Sequence, residues 1–151
     1  MWFSRKQVAK SPQSQASVDS DQREASQITT KRLGDAAESV ALAHLAKAGL
    51  KLVETNYRTP GRGGGEIDLI MRAPDGTLVF IEVRQRSGQS HGGAGASISA
   101  VKQRRIIFAA RHYLMRLNSL PPCRFDVVLV QGGMGDEYPQ LEWLQAAFDA
   151  S

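Results

Sequence analysis

From Thr30 onward apolar positions recur at helical spacing, with Leu33, Ala37, Val40, Ala41, His44 and Ala48 on one stripe. Thr29 or Thr30 can cap this stretch and Gly49 stops it, so the spacing predicts a helix over about residues 31–48. Residues 50–57 have the aliphatic and aromatic content of a strand, and the PGRGGG run at 60–65 is a connection that no regular element tolerates. Two further strand-like runs, EIDLIMR (66–72) and TLVFIEVRQ (77–85), flank Pro74-Asp75-Gly76, whose residue types set a tight turn, and together they predict a hairpin. After the glycine- and serine-rich stretch 87–97, Ser99 caps a second helix over about 100–117, its stripe read through Ile107, Ala110, Leu114 and Leu117. RFDVVLVQ (124–131) reads as a buried strand, while the periodicity of residues 141–148 leaves strand and short helix both open. The order is αβββαβ with room for one more strand, which makes the fold class α/β: a mixed central sheet flanked by helices. Residues 1–28 are rich in Ser and Gln, with almost no periodic apolar positions after Val8. They are expected to be a disordered polar tail before a domain at 29–151.

Composition adds exclusions. With 151 residues, 42% hydrophobic and 23% charged, the chain is unlike disordered, collagenous or membrane proteins and can bury roughly two thirds of its unfolded surface. The single Cys123 excludes an internal disulfide and any cysteine-rich zinc site. No apolar run is long enough for a signal peptide or a membrane span, so the expected location is cytoplasmic, with no membrane partner. A net charge of +4 leans towards a polyanionic partner, although a basic surface tuned for solubility accounts for it equally.

Strand parity makes a sharper statement about the hairpin. If Pro74 to Gly76 form a three-residue loop, Ala73 pairs with Thr77 and counting back sets Asp68 opposite Glu82, with Cβ atoms about 5 Å apart. A four-residue loop would send the two carboxylates to opposite faces. Facing carboxylates repel and need compensation. A hard divalent cation such as Mg²⁺ supplies it, and so does a plain salt bridge to Arg84 or Arg72. At about 100° per residue Glu38 interrupts the edge of the first helix's apolar face near Gly34, Ala41, Leu42 and Leu45, and Gly34 is read as permitting close approach of helix to sheet.

The segments RLGDAAE (32–38), GEIDLI (65–70), VFIEVRQRS (79–87), the helix-opening Lys102 and RFDVV (124–128) together resemble the YraN family of uncharacterised predicted endonucleases. That family is similar to a branch of the PD-(D/E)XK nuclease superfamily, near the Holliday junction resolvases, and the resemblance covers about residues 31–150. It implies a restriction-endonuclease-like fold with catalytic residues Glu38, Asp68, Glu82 and Arg84. The same resemblance implies a metal site of Asp68, Glu82 and Glu38, and Mg²⁺ as cofactor with Mn²⁺ as a substitute. Arg84 stands where the superfamily carries Lys; it stays protonated and forks onto phosphate oxygens but cannot act as a compact, titratable amine.

Arg62, Arg86, Lys102, Arg104 and Arg105 flank the acids in sequence and are candidate nucleic-acid contacts, or else solvated surface charges. His44, His91 and His112 are too scattered for a metal site or a catalytic triad, and GRGGGE lacks the Lys-Ser/Thr of a phosphate-binding P-loop. Asp126 reads as a structural partner of Arg124, with Trp143 and Phe148 as core. The expected function is Mg²⁺-dependent hydrolysis of phosphodiester bonds in structured or branched DNA. The alternatives are a non-catalytic nucleic-acid-binding module that retains the fold and an interaction scaffold. A homodimer is the assembly common among the resolvases that the chain resembles.

Overall fold

The computed structural model describes residues 22–24, 34–86, 98–132 and 139–150. The chain divides after Leu33 into two units. Of the first, the described residues 22–24 are helical and exposed; the rest of the expected tail, with His91 and Trp2, lies outside the described residues.

The second unit, Gly34–Ser151, is built on one sheet. Helix α1 occupies residues 34–47, followed by β1 (Lys51–Arg58), β2 (Glu66–Arg72), β3 (Leu78–Arg86), helix α2 (Ala100–Leu114), β4 (Cys123–Gln131) and β5 (Gln140–Phe148). Among the described residues five strands lie in the order β1-β2-β3-β4-β5, and of their pairings only that of β3 with β4, joined through α2, is parallel. This is the α/β architecture expected, a mixed sheet flanked by helices and compatible with a restriction-endonuclease-like fold, and residues 140–148 resolve as strand. Among the described residues no helix is long and apolar enough to cross a membrane.

The turn sets the register. Ala73 N–H donates to the Thr77 carbonyl at 2.8 Å, Asp75 Oδ1 accepts from Thr77 N–H at 3.0 Å, and Gly76 takes the positive φ of 91° that the three-residue loop requires. Pairing then runs Arg72↔Leu78, Met71↔Val79, Ile70↔Phe80 and Leu69↔Ile81. Alternation along these strands splits the core in two. On one face Ile70, Leu78, Phe80, Phe125 and Val127 meet α2 through Ile106, Ala109, Ala110 and Tyr113. On the other, Leu69, Met71, Val79, Ile81, Val128 and Val130 meet α1 through Ala37, Ala41 and Leu45.

Several details of the helices differ from the sequence reading. Helix α2 stops at Leu114 and buries Ile106, Ala109, Ala110 and Tyr113, while Ile107 and Leu114 lie at the margin of that face. The reason is the glycine-rich loop. A Cβ on Gly65 would collide with the Arg105 carbonyl oxygen and lie 2.9 Å from the Ala109 Cβ, so the alanines face the chain where it comes closest. Around Gly34, by contrast, a Cβ would meet nothing within 4 Å; the expected close approach of helix to sheet is not there, and Gly65 takes that role against α2. His44 and Ala48 are exposed, His44 standing edge-on to Trp143 at 6.4 Å between ring centres.

Asp126, fully buried, braces the far side of the sheet. Its carboxylate accepts from Arg124 Nε at 2.9 Å, from Trp143 Nε1 at 2.9 Å and from the Ala146 N–H at 2.9 Å. Ala146 has a φ of 48° where β5 bulges against β4, between the pairs Phe125↔Phe148 and Val127↔Leu144. The side chain thus satisfies a backbone N–H that the bulge removes from the ladder.

Replacing Asp126 with Ala removes the shared acceptor of half-buried Arg124, Trp143 Nε1 and the Ala146 N–H and is expected to cost about 2–4 kcal/mol in urea unfolding. Gly65→Ala drives a methyl group into the backbone of α2, and the same measurement should show a loss of about 1–3 kcal/mol.

Candidate active site

Beyond the pair Leu69↔Ile81 the same register brings Asp68 opposite Glu82, and there the ladder gives way to a side chain. Asp68 Oδ2 accepts the Val83 N–H at 2.8 Å. Ile67 and Ile70 both join the α2-side core although they stand an odd number of positions, three, apart, so the alternation of β2 slips once, around Asp68. Asn56, the neighbour of Asp68 across β1 in the same register, has a φ of 50°.

Asp68 acts on Glu82 both through its charge and through a side-chain hydrogen bond, consistent with the facing positions that the three-residue turn sets. Glu82 is 7% exposed, and burial first, then the charge of Asp68, pushes its pKa up to about 8 from 4.5. Lys102 opposes that shift: its Nζ lies 3.3 Å from Glu82 Oε1, across from the first turn of α2. Ser99 fixes this turn by accepting the Lys102 N–H at 3.2 Å. Glu82, Lys102 and Arg84 line one cavity of about 400 Å³ together with Ile98 and Ser99.

Glu38 stands on α1, half-buried, and feels Asp68 electrostatically. Partial burial and then Asp68 raise its pKa, and a hydrogen bond from the Asn56 side chain offsets part of the rise. The acids therefore meet as a pair with a third carboxylate at a distance. Among the described residues no group of three His, Cys, Asp or Glu side chains stands close enough to hold a metal ion. A close pair of carboxylates suits a hard cation such as Mg²⁺, which takes few protein ligands and keeps waters and phosphate oxygens. It does not suit zinc, which takes three or four protein ligands.

The flanking cations separate into three places. Lys102 is inside the site, closer than its expected part as a phosphate contact implies. Arg105 lies beside the glycine-rich loop, its Nε donating to the Gly64 carbonyl at 3.4 Å, and lines a cavity of about 260 Å³ with Arg58, Thr59 and Gly61; Arg62 is exposed on that loop and Arg104 on α2. Arg86 turns to the far end of the sheet, 3.9 Å from Glu142, and lines a different cavity with Gln131 and Gln140.

Sequence reasoning passed over Asn56. Its signal was an Asn inside an otherwise strand-like run, a residue type that sheets disfavour but the left-handed conformation accepts.

Residues 37–130 match the model of a family described as "Uncharacterised protein family UPF0102". A UPF0102 protein of Polaromonas sp. (strain JS666 / ATCC BAA-500) is 70% identical over 154 residues, covering 100% of both chains. Another, of Polaromonas naphthalenivorans (strain CJ2), is 70% identical over 155 residues with the same full coverage. A third, of Albidiferax ferrireducens, is 70% identical over 122 residues, 81% of this chain and 91% of the relative. The motifs that resemble the YraN family are thus carried by a chain that belongs to UPF0102, which is the same family.

Proposed function

We propose that this protein is a cytoplasmic, Mg²⁺-dependent endonuclease that hydrolyses phosphodiester bonds in structured or branched DNA. The observation that carries the reading is the interaction of half-buried Asp68 with Glu82, which is itself buried beside Lys102 and opens onto a cavity that Arg84 also lines. Two adjacent carboxylates on a nearly buried surface raise the free energy of the charged state, and a divalent cation relieves them. When bound, the ion would lower the pKa of a water and neutralise charge on the scissile phosphate.

The chain's own groups have separable roles in this reading. Asp68 and Glu82 hold the cation, with Asp68 oriented by the Val83 N–H. Lys102 and Arg84 face the phosphate, where preorganised positive charge favours the more highly charged transition state. Lys102 supplies the ammonium that Arg84 cannot, reaching Glu82 from the helix rather than from β3. Glu38 acts through its field on Asp68, a positioning role.

A second reading, a nucleic-acid-binding module without turnover, is favoured by Arg84 itself. Incubating the purified protein with labelled single-stranded, duplex, flap and four-way DNA, with Mg²⁺, Mn²⁺ or EDTA, separates the two. Metal-dependent products are expected, reduced about a hundred-fold or more in Asp68→Asn and Glu82→Gln. Binding without products in every metal would establish the module instead.

The raised pKa of Glu82 gives a second expectation. The folded chain keeps this proton up to about pH 8 while the unfolded chain releases it near 4.5, so the native state binds more protons between those values. Without metal, stability is therefore full below about pH 4.5 and falls as pH rises to about 8, by a few kcal/mol. Glu82→Gln should flatten this slope in urea melts, and saturating Mg²⁺ should flatten it in the wild type; an unchanged slope in both cases would refute the assignment.

A further inference from the structure

The outer face of α2 carries a second arrangement that the acid site does not use. Phe108 is 54% exposed, and its four helical neighbours at three and four residues' distance are Arg104, Arg105, Arg111 and His112. Val101 and Met115, 58% and 77% exposed, continue the stripe seven residues to either side. The helix sequence AVKQRRIIFAARHYL contains no acidic residue. Two of the guanidinium groups are tethered at the flanks of the helix, Arg105 to the Gly64 carbonyl and Arg111 to the Ala150 carbonyl at 3.3 Å. The His112 ring is held by the Tyr57 hydroxyl.

Single exposed apolar side chains are ordinary on protein surfaces. A phenyl ring encircled by cations, on a helix without a carboxylate, selects its partner by charge: anionic groups for the rim and a flat apolar face for the centre. We infer that the outer face of α2 binds single-stranded nucleic acid, a base stacking on Phe108 while Arg104, Arg105 and Arg111 contact the phosphates on either side. Duplex DNA hides its base faces, and a second copy docked through this face would set Arg104, Arg105 and Arg111 against their own like charges. An anionic bilayer demands a continuous apolar face, whereas Val101, Phe108 and Met115 stand about 10 Å apart along the axis with cations between. Lys102 precedes Phe108 by about 9 Å on the same helix, so a strand stacked there reaches the acid pair within about three nucleotides. The inference rests on the nuclease reading for that last step and narrows it to substrates with an unpaired segment beside the cut.

Fluorescence anisotropy in EDTA, with a labelled thymidine oligonucleotide and a duplex of equal length, tests the binding without cleavage. The full-length protein should prefer the single strand. Phe108→Ala, at an exposed position that leaves folding intact, should weaken single-strand binding about five-fold or more and duplex binding less. Phe108→Trp should retain affinity and show indole quenching on binding, and Arg104→Gln with Arg111→Gln should reduce the salt dependence. Wild-type affinity in Phe108→Ala, preferential binding to phosphatidylglycerol vesicles, or a Phe108-dependent shift in oligomeric size would each overturn the inference. Cleavage that ignores Phe108 defeats this inference alone, whereas Phe108-dependent binding with no cleavage in any metal defeats the nuclease reading alone.

Discussion

The mutual repulsion of Asp68 and Glu82 is the constraint around which the sheet's chemistry is arranged. Two carboxyl groups in contact on a nearly buried surface cannot both stay ionised without help, and the fold surrounds them with partial answers: the Val83 N–H, the Lys102 ammonium and a retained proton. Two of these come from β3 itself and the third from α2. The turn at Pro74-Asp75-Gly76 fixes which residues face one another, the parallel return through α2 brings Lys102 over them, and the close packing of Gly65 on α2 holds that helix in place.

Much of the fold was legible because the relevant signals are local. Pro-Asp-Gly dictates its own turn, and from that turn the pairing of β2 with β3 follows by counting, down to the acids five residues away. The mixed sheet followed from the alternation of strands with one intervening helical stretch. Less legible was the inward face of α2. Ala109 was not read as part of the buried face because small residues weigh little in a hydrophobic pattern, yet the backbone at Gly65 comes nearest there. That contact links residues far apart in sequence, and no window along the chain contains both. The fate of residues 140–148 was equally non-local, since their strand form depends on β4 and on a bulge tied by Asp126.

The candidate site divides the same way. Asp68 and Glu82 were readable from parity alone, and the Arg124–Asp126 pair from two positions on one strand. The part played by Lys102 was not, because its distance from Glu82 depends on how α2 crosses the sheet. Glu38 lies at the margin of a buried helical face, as periodicity indicates, but periodicity says nothing of how far a margin lies from a strand on another element. Arg86 shows the opposite limit: two residues from Arg84 and four from Glu82, it ends beside Glu142 in a cavity of its own.

The sheet is open, with β1 and β5 as its borders. Both borders are irregular: β1 slips register between Leu52 and Glu54 and carries Asn56 at φ 50°, and β5 bulges around Ala146 at φ 48°. A distorted border offers an incoming strand no continuous row of donors and acceptors. Among the described residues the fold thus blunts both of its borders, which disfavours extension of the sheet by a shared ladder.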